Sequence, residues 1–140
     1  SKIVFKSGAL KTLVKAMMKK ESVSLIIDQN TNSKDGKEVQ FLGKRAYQTS
    51  SSALLARKFG AYIVPIAVFN QDDYKYKIKV YEPIIPIKTD NEIEDLKHIS
   101  QLEANAISDI ILEDKKQWFW PHKRFKSHYR EIYEKNPNNN

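Results

Sequence analysis

Apolar residues Leu10, Leu13, Val14, Met17 and Met18 recur at helical intervals, with lysines on the opposite side. That spacing predicts an amphipathic helix over residues 8–20. Val23–Ile27 is a short apolar run with β-branched residues, which predicts a buried strand stopping at Asp28. Asn30–Gly36 reads as a polar loop, and Val39–Leu42 as a further short strand. Thr49–Ser52 offers several N-caps for a helix from Ala53 to Phe59, and Gly60 suits the left-handed position that would close it. Ile63–Phe69 is the strongest strand pattern. Tyr74–Tyr81 alternates and should pair with it antiparallel through the turn at Asn70–Asp73. Pro83 and Pro86 mark an extended linker, and a long helix is expected over residues 93–115.

This order predicts an α/β fold, a mixed sheet flanked by helices. A single domain over 1–135 is expected, with 136–140 as a disordered tail. About four strands are too few to cover the apolar runs on both faces, so the sheet should lack neighbours, and exposed edges would allow two copies to associate. No run of 18 apolar residues exists, and the absence of cysteine excludes disulfides and Cys-based zinc sites. The 24 Lys+Arg against 17 Asp+Glu give a net charge of +7, which favours anionic partners: nucleic acid, acidic lipid, a phosphorylated ligand or an acidic protein.

Three stretches carry candidate chemistry. Asp28-Gln29 follows a predicted strand end, where open α/β sheets place ligand crevices; the alternative is an Asx-type cap on the following loop. Gly43-Lys-Arg and Thr49-Ser-Ser-Ser precede a helix N-terminus that could receive an anion, with Arg45 adding bidentate contacts, unless the turn is simply solvated. From Lys115 to Lys135, seven Lys/Arg interleave with Trp118, Phe119, Trp120, Phe125, Tyr129 and Tyr133. Such a mixture suits a bilayer interface or base stacking, and equally suits tryptophans packed on the sheet beneath solvated lysines. His98 and Glu103 have the spacing of a His-x4-carboxylate pair. Inside one helix, however, they lie about 140° apart, with Glu103 on the side of Ile93, Leu96, Ile107 and Ile110. No catalytic role is assigned to them, and the three histidines lack ligand spacing for zinc.

Phe41, Gly43, Ala46, Thr49 and Leu55-Ala56-Arg57, with Asp28-Gln29 before them and Trp118, Trp120, His122, Arg124 and Phe125 after, resemble the C-terminal half of the bacterial lipid A biosynthesis (lauroyl/myristoyl) acyltransferases. Ile63-Val-Pro65 is similar to a block of the related glycerol-phosphate acyltransferases, while Ser51 stands where glycine is common. The resemblance, from about Gly8 to Lys126, implies the C-terminal half of a glycerolphosphate-acyltransferase-like fold. It implies transfer of a fatty acyl group from acyl carrier protein to a hydroxyacyl chain of a lipid A precursor at the cytoplasmic face of the inner membrane. No cofactor or metal is implied beyond the carrier's thioester. The family's His-x4-Asp/Glu base would precede Asp28, so this chain alone is expected to be inactive. On this reading Asp28, Gln29, Arg45 and Thr49 line the substrate cleft, and Trp118, Trp120, His122, Lys123 and Arg124 meet membrane or lipid phosphate. A non-enzymatic basic module binding nucleic acid or an acidic protein is the competing expectation, and a paralogue lacking the histidine altogether is a third.

Overall fold

A computed structural model describes residues 9–134. Helix α1 (Ala9–Met18) realises the first amphipathic pattern. Next come strands β1 (Gly36–Phe41) and β2 (Lys44–Thr49), helix α2 (Ser51–Phe59), strands β3 (Ile66–Asn70) and β4 (Tyr76–Val80), helix α3 (Glu92–Glu113) and a 3-10 turn, Arg130–Tyr133. Gly8 and the expected tail 136–140 lie outside the described residues.

The protein is mixed α/β, but the expected single mixed sheet is not what forms. Two separate antiparallel ribbons, β1–β2 and β3–β4, take its place among the described residues. Val23–Ile27 is not a strand either. Its residues alternate, with Val23, Leu25 and Ile27 half-buried and Ile26 in solvent, yet among the described residues no neighbouring strand offers a ladder. An apolar run becomes a strand only when its backbone groups find partners; among the described residues the tie is Gln48 Nε2 donating to the Ile27 carbonyl at 3.0 Å.

β2 was not foreseen. Its partner β1 runs longer than the expected Val39–Leu42, and Leu42-Gly43 makes the two-residue turn between them, with φ of 48° and 76°. Two successive positive φ values match the twist of a tight hairpin. Glycine accommodates this freely, whereas Leu42 holds a conformation costing roughly 1–2 kcal/mol. The register, Val39 opposite Ala46 and Phe41 opposite Lys44, puts Val39, Phe41 and Ala46 on the inner face. Gly36 is needed for a different reason: a Cβ there would lie 2.5 Å from the Gln48 carbonyl and from Thr31 Cγ2.

α3 begins at Asn91, whose side chain accepts the Glu94 N–H, and Glu92, Glu94 and Asp95 complement the helix dipole. It lies along the outer edge of β1. Gln101 copies a strand there: its Oε1 accepts the Gln40 N–H and its Nε2 donates to the Gln40 carbonyl, both at 2.9 Å. Ser108 Oγ accepts the Leu42 N–H at 3.3 Å. Val39, Phe41, Ala46, Ala104 and Ile111 form one core, closed by Trp118 and Phe125, and Ala53, Leu96 and Ile99 form a second under α2. Gly60 ends α2 in the left-handed region, as its position predicts.

β3–β4 pair as expected, and the proline linker joins their base through mutual Ile63–Ile84 hydrogen bonds. One face of this ribbon is bare. Ile66, Val68, Ile78 and Val80 are each 59–68% exposed.

Candidate functional site

The loop after Ile27 and the aromatic-basic tail meet. Trp118 Nε1 donates to Asp28 Oδ2 at 3.2 Å, the Asn30 N–H donates to His122 Nε2 at 2.6 Å, and Ser127 Oγ donates to the Thr31 carbonyl at 3.1 Å. Arg124 is the pin through this clamp. Its guanidinium, 0% exposed, donates to the carbonyls of Gln29 (3.0 Å) and Tyr47 and to Gln48 Oε1 (2.7 Å), and lies 4.5 Å over the Phe41 ring. Burial pushes its pKa down to about 10, with the Asp28 charge pulling the other way, so it stays a cation at neutral pH. Such a cation is retained inside only because oxygen acceptors surround it.

These placements correct part of the surface reading. Trp118 is packed 5.9 Å from the Phe41 ring, and His122 Nε2 accepts from the Asn30 N–H. Arg124 cannot reach a lipid phosphate. Lys123 is exposed, and Trp120 is half-exposed, its ring held edge-on to Trp118 at 4.6 Å and its Nε1 donating to the Lys115 carbonyl at 2.6 Å.

The expected cleft residues divide. Asp28 and Gln29 join the clamp together with Gln48. Arg45 and Thr49 alternate with Gln48 along β2, and alternation sends them to the opposite face. The Arg45 N–H donates to Tyr129 Oη at 3.4 Å, and Thr49 Oγ1 donates to Ser51 Oγ at 3.4 Å. The N-cap of α2 makes no side-chain cap; Ser50 Oγ instead donates to the Asp35 carbonyl at 3.1 Å.

His98 and Glu103 are separated as their helical angle requires. His98 is exposed, and Glu103 is 2% exposed against α2. Of the apolar side it was expected to share, Leu96 is buried but Ile93 is in solvent. Burial pushes Glu103 up to about 7, with the Ser52 hydroxyl pulling it back; neither this hydroxyl nor either carboxylate oxygen has a well-formed hydrogen bond among the described residues.

Sequence reasoning missed two features. His128 Nε2 meets Glu38 Oε2 at 2.7 Å beneath the Tyr47 ring, and its Nδ1 is enclosed with no partner among the described residues, so neither nitrogen is open to a substrate. That bond holds the Glu38 carboxyl below the usual range. The second is an open groove of about 820 Å³ between the tip of the β1–β2 hairpin and the C-terminal half of α3. Its signal in the sequence was the polar stripe Gln101, Asn105, Ser108 and Asp109, spaced by helical turns. No group of three His, Asp or Glu able to hold a metal occurs among the described residues.

The clamp thus joins the two distant blocks that carry the acyltransferase likeness. Residues 1–127 match the model of the bacterial lipid A biosynthesis acyltransferases, and the chain belongs to that family. Among curated proteins, no match was found.

Proposed function

We propose that this chain forms the C-terminal half of a glycerolphosphate-acyltransferase-like unit. That unit moves a fatty acyl group from acyl carrier protein to a hydroxyacyl chain of a lipid A precursor at the cytoplasmic face of the inner membrane. Membership of the family carries the reading. Within it the chain supplies scaffold and cationic surface. On this reading the proton-abstracting histidine comes from outside the chain, which is supported by His98 and Glu103 facing apart, by the bond from the Asn30 N–H to His122 Nε2 and by the enclosure of the His128–Glu38 pair.

The bare face of β3–β4 agrees with this, since β-branched residues in such a row are built to be covered. No helix among the described residues is long and apolar enough to cross a membrane, so membrane contact would be made by surface residues such as Lys123 and Lys126. Trp118, one of the two rings a nucleic-acid reading relied on for stacking, is half-buried against the Phe41 ring and bonded to Asp28. The test is direct: the purified chain, given acylated carrier protein and lipid A precursor, should transfer no acyl group. Turnover by the chain alone would overturn the division of labour.

A further inference from the structure

From Ala61 to Asn70 the chain alternates without a break between half-buried odd positions and exposed even ones. That is the period of a strand with one face covered, yet here the uncovered face is the apolar one. Tyr62, Val64, Ile66 and Val68 stand on it. β4 sets Ile78 against Val68 and Val80 against Ile66 on the same side, with Tyr76 beyond them, and all seven are 45–71% exposed.

The cations lie elsewhere. Alternation puts Lys77 and Lys79 on the opposite face, where Lys79 pairs with Glu113 at 2.6 Å. That pair and the Gln117 bonds to Asn70 tie the ribbon to the end of α3 and leave the apolar face untouched. No lysine or arginine stands in the row, and Glu82 follows Val80 at its rim.

Area and charge together select the occupant. The row presents on the order of 800 Å² of apolar surface, more than the few hundred Å² a monomer ordinarily leaves open and equal to one partner's share of a standard interface. An anionic membrane or an acidic protein would be drawn to the lysines of this +7 chain, and at this face it would meet a carboxylate instead. A flat, cation-free apolar row is complementary to another of its kind. Two such ribbons packed face to face, related by a twofold axis, would bury Val68 and Ile78 at the centre and close the contact at two copies. We propose that the β3–β4 face pairs with the same face of a second copy of this chain. The pairing concerns the chain by itself and does not rest on the acyltransferase reading.

The experiment is sedimentation equilibrium of the 140-residue chain from about 1 to about 100 µM, the range in which an interface of this size should show its midpoint or already be saturated. The mass should reach twice 16.3 kDa and stop there. Added salt should maintain or strengthen the pairing, because it screens the repulsion between two +7 chains. Ile78→Glu, at an exposed position, should keep the circular dichroism and urea midpoint of the wild type and remain a monomer throughout. Val80→Thr, which retains a branched strand former, should weaken pairing by about tenfold. Ile26→Glu, 86% exposed and off the ribbon, should pair like the wild type. A monomeric wild type would overturn the proposal, and so would a mass that grows past two copies, which marks edge-to-edge extension. Pairing that survives Ile78→Glu, or that Ile26→Glu abolishes equally, would place the contact elsewhere and overturn it too. A wild-type monomer that floats with phosphatidylcholine vesicles, and ceases to do so as Ile78→Glu, would give the face to lipid instead. None of these readouts involves acyl transfer, so either reading can fail while the other stands.

Discussion

Glu103 gives the sharpest test of the packing. Its carboxyl is enclosed between α2 and α3, and no charge from either helix offsets its burial; what faces it is the Ser52 hydroxyl. The charged pair on the same two helices, Arg57 and Asp95 at 2.7 Å, lies about 12 Å up α3 from Glu103, at 1.5 Å per residue. That pair holds Asp95 below the ordinary carboxylate range, so Asp95 does not titrate near neutrality. Because Glu103 has a folded pKa of about 7 against 4.5 for the free side chain, the folded state binds this proton more tightly than the unfolded one. Its contribution is therefore fully present below pH 4.5 and is lost as pH rises through 7. The gap, 7 minus 4.5, is at ~1.4 kcal/mol per tenfold change in proton affinity worth about 3 kcal/mol at the outside.

For a domain whose whole stability is on the order of 5–15 kcal/mol, that loss is large. Urea unfolding of the wild type and Glu103→Gln, repeated from about pH 5 to pH 8, isolates it, because the histidines and other groups titrate in both proteins alike. The variant should gain on the wild type steadily as pH rises and should lead by about 2–3 kcal/mol at the alkaline end. A difference between the two proteins that is the same at both ends of the range would refute the reasoning.

Two further outcomes follow from the tail. Arg124→Ala strands the Gln29 and Tyr47 carbonyls and Gln48 Oε1, and should cost about 3 kcal/mol or more in urea unfolding; Arg124→Lys should recover little, since one compact ammonium cannot span three acceptors. Unfolding at the wild-type urea midpoint would show the clamp to be dispensable. Anionic vesicles should bind the chain in a salt-sensitive way, and replacing exposed Lys123 and Lys126 with alanine should weaken sedimentation with them on the order of tenfold. Binding indifferent to added salt would exclude this cationic contact.

What the sequence disclosed was whatever is periodic over several turns or paired over a short distance. α1, α2, α3 and the β3–β4 hairpin fall into that group, because their patterns are complete within the element. β2 escaped notice because its inward positions are Ala46 and Gln48, neither of which marks a strand, while Lys44 and Arg45 read as loop. Val23–Ile27 misled for the opposite reason: its composition is strand-like, but strand formation needs a partner that local sequence does not reveal. The site was half-legible. The Asp28-Gln29 block and the Trp118–Phe125 block both stood out, but nothing in either says that Arg124 reaches back 95 positions to the Gln29 carbonyl. An arginine among lysines and rings reads as surface. Only the fold turns it inward.

The way the two ribbons end their edges bears on where a further structural unit could seat. β1 has β2 on one side and α3 along the other, where Gln101 meets both backbone groups of Gln40 and Ser108 accepts the Leu42 N–H. β3 has β4 on one side, and a second glutamine makes the same imitation of a strand: the Asn70 N–H donates to Gln117 Oε1 at 2.6 Å, and Gln117 Nε2 donates to the Asn70 carbonyl at 3.1 Å. That stopper covers only the last residue of β3, and the apolar face of Ile66 and Val68 stays bare beside it. An exposed edge next to an exposed apolar face is where sheets extend. Of the two ribbons, β3–β4 therefore has the more open edge among the described residues.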